Sequence, residues 1–319
     1  MKTDLDALSR VEARLKAIFR DDPTLKPFLS DEYFWGGGQM RSKVCVNLGR
    51  LFGLKYETII DIAVFTELLH NASLIHDDII DEDGQRRGVP AIWKEVGIPR
   101  AILIGDLLIA KSFKVASEAN EKKGVRLSWV QNISLATNAA VNGAMRELNY
   151  DTSDSNFYRY LKMAELKTGS LFSLPVNCIC DAAQINPLKK EQISGAFSKF
   201  AIAYQIKDDE ADFFGYKKGR IKSSDLLNGR PNIFYLTQDS ISETSNNHSE
   251  IYDVHAGLVF KARSELLKVN PRISSFLDKI ILPFVAMSKP PKANLKSSYP
   301  YKITTTHSIN EPEYKFAKP

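Results

Sequence analysis

Two short acidic runs carry most of the chemistry available to this chain. HDDIIDED, residues 76 to 83, places five acids in eight positions, and KDDEADFFG, residues 207 to 215, repeats the theme later in the chain. On a helix, residues four apart stack on one face, so Asp77 and Asp81 lie together with Asp78 beside them. Asp208 and Asp212 do the same, with Asp209 beside them. Both runs follow apolar sequence, ELLHNASLI in the first case and FAIAYQI in the second. Carboxylates against apolar helix faces are costly unless something compensates them. A hard divalent cation does so, because Mg²⁺ holds one or two carboxylates and fills its other positions with water and phosphate oxygens. A solvated acidic face accounts equally well for either run alone. Each run is also followed by cations: Arg86 and Arg87 after the first, and Lys217, Lys218, Arg220 and Arg230 after the second. That pairing favours facing helices that clamp a diphosphate through Mg²⁺.

The elements that must position these acids are helical. Residues 5 to 20 put Leu5, Leu8, Val11, Leu15 and Ile18 on one stripe. Residues 41 to 52, 58 to 82, 100 to 120, 126 to 150, 156 to 183, 190 to 214 and 254 to 287 show similar periodicity. Breaks fall at Gly53, at 97 to 99, at Gly124, at Asn186 and Pro187, and at Gly215. Strand-like alternation is scarce, so the fold class is all-α. The stretches 59 to 69 and 161 to 183 are apolar on most faces, which marks central helices of a large bundle. Residues 1 to 288 are expected to form this one domain. Within it, 237 to 253 reads as a polar loop, and 289 to 319, broken by prolines, as an extended tail on the surface or reaching a partner.

Composition narrows the classes. A hydrophobic content of 44% and a charged content of 25% are ordinary for a globular protein, and a net charge of +5 suits anionic substrates. No run of like charge and no nucleic-acid-binding motif is present. Cys45, Cys178 and Cys180 have no metal-site spacing and imply a reducing compartment. The N-terminal stretch lacks the apolar core of a secretory signal, and no run approaches a membrane span, so a cytoplasmic location is expected, with at most peripheral membrane contact.

Taken together, ELLHNASLIHDDIIDEDGQRRGVPAIW, AYQIKDDEADFFG, the pair Lys167-Thr168 and the glycine run GGGQMR resemble the trans-polyprenyl diphosphate synthases, in family order from about residue 36 to 234. The resemblance implies an isoprenoid synthase bundle around a deep central cavity and a homodimer. It also implies condensation of an allylic prenyl diphosphate with isopentenyl diphosphate. Asp77, Asp78, Asp81, Asp208 and Asp212 would hold Mg²⁺, three ions per site, with Asp209 of lower rank. Arg86, Lys167, Arg220 and Arg230 would bind the allylic diphosphate, the last two standing where the family usually has lysine. Thr168 and Gln205 would face the reacting carbons, and the released diphosphate would accept the proton. Arg41, His70 and Arg87 would hold isopentenyl diphosphate, while His76 reads as structural.

Three departures from the family pattern bear on function. GGKxxRP reads GGGQMRS here, so Gly38 stands for lysine and Ser42 for proline. Glu210 and Ala211 occupy positions that are usually apolar, and the extra acid is expected to face solvent. Sequence beyond residue 234 diverges. These changes keep open an allylic-diphosphate-ionising relative of the terpene cyclases, or a regulatory subunit of a heteromeric synthase. Ala72 and Ser73, about one helical turn below Asp77, are small and would let a medium or long product pass. Phe113, Met145 or Leu148 could instead supply a deeper floor.

Overall fold

The structure is a computed structural model that describes residues 4–151, 157–216, 223–236 and 248–288. The expected tail, part of the expected polar loop, and Arg220 with Lys217 and Lys218 lie outside the described residues. Helix α1 (Asp4–Asp21) packs its Ala7, Val11, Leu15 and Phe19 stripe inward. The short α2 (Glu32–Trp35) is capped by Asp31, whose side chain accepts from the Tyr33 amide. Helix α3 (Met40–Leu51) follows the glycine run, and α4 (Tyr56–Ile80) ends in the first acidic motif. Contrary to the expectation that no run approaches a membrane span, α4 is long and apolar enough to cross a membrane, alone among the described residues, and it lies mostly buried in the core.

After α4 the chain forms a minimal antiparallel hairpin, β1 (Gln85–Arg86) with β2 (Val89–Pro90). Its two-residue loop puts Arg87 at φ 57° and Gly88 at φ 85°. This is the left-handed pair that matches strand twist, and it turns Arg87 back toward the glycine run. Helices α5 (Ile92–Val96), α6 (Ile98–Glu118) and α7 (Lys123–Leu148) follow. Next come α8 (Phe157–Ala164), a π-helical turn at Glu165–Gly169, and α9 (Ser170–Ala182). Helix α10 (Pro187–Phe214) starts with Asn186 accepting from the Leu188 amide and proline at its first turn. It stops at Gly215, in the left-handed region.

Short α11 (Ser224–Leu227) and α12 (Ile233–Leu236) lead to α13 (Ser249–Val269), which begins inside the stretch read from sequence as loop. The described residues end with α14 (Ser274–Phe276), a π turn at Leu277–Ile281 and α15 (Leu282–Val285). In the resulting bundle α4 packs on α3, α6 and α9, and α10 on α9 and α13. The two helices bearing acids are therefore both central. The Cys45, Cys178 and Cys180 thiols are buried and unpaired, and burial pushes their pKa values up, Cys180 to about 12.

Candidate active site

A cavity of about 910 Å³ opens between these helices, and both acidic motifs reach it. Asp77 and Asp81 line it from α4, and Asp208 and Asp209 from α10. Asp78 does not. One residue along a helix is a rotation of about 100°, and Asp78 is turned into the protein, fully buried. There it accepts from the Tyr33 hydroxyl at 2.7 Å and from Arg86 Nε at 2.8 Å. Burial raises its pKa against the opposing pull of Arg86 and Tyr33. Asp212 is buried as well, accepting from Ser224 Oγ at 2.6 Å and the Asp225 amide at 3.2 Å. Of the five acids expected to hold metal, Asp78 and Asp212 thus have protein donors on both carboxylate oxygens.

Asp209 is a third anchor. It accepts from Tyr160 Oη at 2.7 Å, Gln205 Nε2 at 3.0 Å and the Ile233 amide at 2.9 Å, and burial pushes its pKa up to about 8. Gln205 in turn accepts from Thr168 Oγ1 at 3.0 Å. Thr168 and Gln205 line the cavity together. Lys167 projects from the π turn, a distortion that often marks functional sites. Its ammonium pairs with Glu147 on α7 and lies 3.7 Å from Asp77. Burial, the largest single influence, lowers its pKa, but these two carboxylates and Asp81 together outweigh it and raise the pKa. Gly143 lets α7 approach the π turn this closely, since a Cβ there would lie 2.3 Å from the Lys167 backbone nitrogen.

Arg230 sits between the motifs, 3.0 Å from Asp81 and 3.6 Å from Asp225. Asp81 is mostly buried, and its pKa rises to about 7, with desolvation outweighing Lys167 and Arg230. No three carboxylate, imidazole or thiolate groups converge to hold an ion by themselves among the described residues. Asp77, Asp81 and Asp208 together suit a hard cation that takes one or two carboxylates and completes its shell with phosphate oxygens. Arg86, fixed by Asp78, also lines the cavity.

A second basic corner faces the glycine run. Arg41, His70 and Arg87 line the same cavity. Arg87 donates to the Tyr33 carbonyl at 2.6 Å and lies so close to Gly37 that a Cβ would stand 2.6 Å from its Nη2. Arg41 Nε and His70 Nδ1 are buried without a partner. Burial first, then the nearby arginines, hold the His70 imidazole well below its usual pKa, so it is neutral. A Cβ at Gly38 would meet nothing within 4 Å. His76, read from sequence as structural, lines the same cavity and packs against Gly105, near Asp106.

Ala72 and Ser73 line the cavity below Asp77, as do Met145 and Leu148, while Phe113 lies in the packed surroundings. On the opposite side Tyr204 stacks on Phe284 at 4.3 Å, and Phe284 on Phe172 at 6.1 Å. Phe284 is held from behind. Lys207 donates to its carbonyl at 2.6 Å, and His255 Nε2 lies 2.9 Å from the Val285 carbonyl. Glu210 accepts from the Ser288 amide at 2.7 Å and from Tyr252 at 3.0 Å. Glu210 is thus fully buried, correcting the expectation that it faces solvent.

Sequence reasoning missed Glu147, Asp225, Tyr33 and Phe284. Asp225 carried a faint signal, five residues before Arg230 across a glycine turn. The others are joined to the site only by tertiary contacts.

An all-α bundle closed around an acid-rimmed apolar shaft is the isoprenoid synthase fold. The sequence profile of the polyprenyl synthetase family matches residues 24–261, and the chain belongs to that family. It is 30% identical over 238 residues to the short chain isoprenyl diphosphate synthase of Methanocaldococcus jannaschii, covering 74% of this chain and 72% of that one. It is 29% identical over 257 residues to the geranylgeranyl diphosphate synthase of Saccharolobus solfataricus, covering 77% and 75%. A crystal structure of a geranylgeranyl pyrophosphate synthase superposes with a TM-score of 0.73 at 18% identity, covering 91% of this chain and 100% of the other. That of a decaprenyl diphosphate synthase from Rhodobacter capsulatus gives 0.72 at 18% identity, covering 88% and 97%.

Proposed function

We propose that this chain condenses an allylic prenyl diphosphate with isopentenyl diphosphate and releases a medium or long all-trans polyprenyl diphosphate. The observation that carries the reading is that Asp77, Asp81 and Asp208 line one cavity whose walls turn apolar below them. These three carboxylates would hold Mg²⁺. Bound there, the metal would act as a Lewis acid on the diphosphate that departs as the allylic cation forms. Lys167, Arg86 and Arg230, each fixed by an acid, would neutralise the rest of that diphosphate. The Thr168 hydroxyl and Gln205 amide would present oxygen dipoles to the carbon skeleton. Arg41, Arg87 and neutral His70 would seat the second diphosphate, and the stacked Tyr204 and Phe284 would exclude water from the cation.

The reading extends to assembly. Leu103 on α6 and Leu135, Val141 and Met145 on α7 are each more than half exposed, and Val141 and Met145 also line the cavity. A second copy of the chain covering this face would close the wall, which favours a homodimer. Ala72 and Ser73 leave the shaft open at one turn below Asp77, which favours products beyond fifteen carbons.

Incubation with ten-, fifteen- and twenty-carbon primers, isopentenyl diphosphate and Mg²⁺, followed by mass spectrometry, tests the reaction and the product length together. Gly38 supports a second reading, an enzyme that ionises the allylic substrate without elongating it. Radiolabelled isopentenyl diphosphate separates the two, because a cyclase would release diphosphate and incorporate no label.

A further inference from the structure

The basic corner contains an acid that ought to defeat it. Glu67 lies on α4, one turn before His70, is nearly buried, and lines the cavity beside Arg41. A buried carboxylate next to a guanidinium ordinarily closes into a forked pair, because each charge is expensive to leave uncompensated. Here it does not. Glu67 Oε1 is taken by Ser42, which reaches it twice, with its backbone amide at 3.1 Å and its hydroxyl at 2.6 Å. Arg41, the neighbour of Ser42 in sequence, is left with a buried Nε that has no partner.

We propose that Ser42 is a positioning residue for the second substrate: by holding Glu67 with two hydrogen bonds it keeps Arg41 unpaired and available to a phosphate group. This deepens the condensation reading and rests on it. The family pattern has proline at this position, and proline offers neither an amide hydrogen nor a hydroxyl, so the device belongs to this chain. It also stands four residues after Gly38, where the pattern's lysine is missing and where open space surrounds the backbone. With one cation fewer in the corner, an Arg41 engaged by Glu67 would leave Arg87 as the principal charge. The serine therefore matters more here than it would in a corner with its lysine.

The test uses the full chain. Isopentenyl diphosphate binding is measured by titration calorimetry, and steady-state KM and kcat are measured for each substrate. Ser42→Ala keeps the amide donor and removes the shorter hydroxyl bond, so Glu67 is held by one hydrogen bond instead of two and can swing toward Arg41. KM and Kd for isopentenyl diphosphate should rise about ten-fold, the expected scale for one lost charge-assisted contact. The KM for the allylic primer and kcat at saturation should hold. The double variant Ser42→Ala/Glu67→Gln should recover affinity to within about three-fold, because a neutral amide cannot lock Arg41 as an ion pair. A serine serving only to hold the fold together would give no such rescue.

If the wild type binds no isopentenyl diphosphate, the condensation reading fails and takes this inference with it. If the wild type binds it and Ser42→Ala binds it equally well, or if the double variant is no better than the single one, the inference alone is overturned. Should Ser42→Ala fail to fold, Glu67→Gln alone decides: equal or tighter binding supports the proposal, and weaker binding refutes it.

Discussion

Restoring a lysine at position 38 is the sharpest probe of the second diphosphate site. A Cβ added there meets no atom within 4 Å, and the backbone is outside the left-handed region, so the first carbon of a new side chain enters open space. Its ammonium would join Arg41 and Arg87 at a corner where Arg41 Nε and His70 Nδ1 already lack partners. A charge-assisted hydrogen bond contributes roughly 1.5 to 3 kcal/mol, and ordering a lysine side chain costs about 1.5 to 2 kcal/mol. The net gain is on the order of 1 kcal/mol, or roughly five-fold in affinity. Steady-state kinetics of Gly38→Lys should therefore show KM for isopentenyl diphosphate falling about five-fold, with the KM for the allylic primer unchanged. An unchanged or raised KM for isopentenyl diphosphate, in a variant that melts like the wild type, would refute the placement of that substrate in this corner.

Four further outcomes follow from the geometry. Asp77→Ala and Asp208→Ala should abolish product formation while leaving thermal melting near wild type. Asp78→Ala should instead destabilise the fold by about 3 to 5 kcal/mol in urea titration, because it strands the buried Arg86 guanidinium and the Tyr33 hydroxyl. Asp81 has a folded-state pKa near 7, above the ordinary carboxylate value, so the folded metal-free chain holds that proton more tightly than the unfolded chain does. Its contribution to stability is accordingly present at low pH and lost as pH rises through about 7, whereas Mg²⁺ affinity should rise over the same range. Asp209 acts in the same sense, and the depressed imidazoles of His70 and His255 in the opposite one. The effect is therefore measured as the difference between wild type and Asp81→Asn in melting and Mg²⁺ titration from pH 5 to 8. Ala72→Phe or Ser73→Phe should shorten the product detected by mass spectrometry, since both side chains face the shaft one turn below Asp77.

The helices were legible because their apolar stripes repeat at the helical period, and the acidic motifs because carboxylates against apolar faces demand an explanation. That Asp77 and Asp208 share a cavity follows from both motifs lying on central helices, which the all-round apolar stretch at 59 to 69 already indicated. The division of labour within each motif was not legible. Spacing treats Asp78 as a neighbour of Asp77, whereas its direction depends on Tyr33, forty-five residues earlier, and on a hairpin that turns Arg86 back. Glu210 looked like a surface acid for the same reason: its partners Tyr252 and Ser288 come from the far end of the chain. Glu147 belongs to no motif and enters only because Gly143 lets α7 touch the π turn.

The clasp formed by Lys207, Glu210 and His255 has a mechanical implication. These three side chains grip the main chain at Phe284, Val285 and Ser288, and Phe284 is one slab of the ring stack bordering the reaction chamber. Tension applied just beyond Ser288, by a fused protein or a tethering surface, would be conveyed through a few ångströms of backbone to Tyr204. Immobilisation and labelling schemes that must preserve turnover are better anchored elsewhere on the molecule.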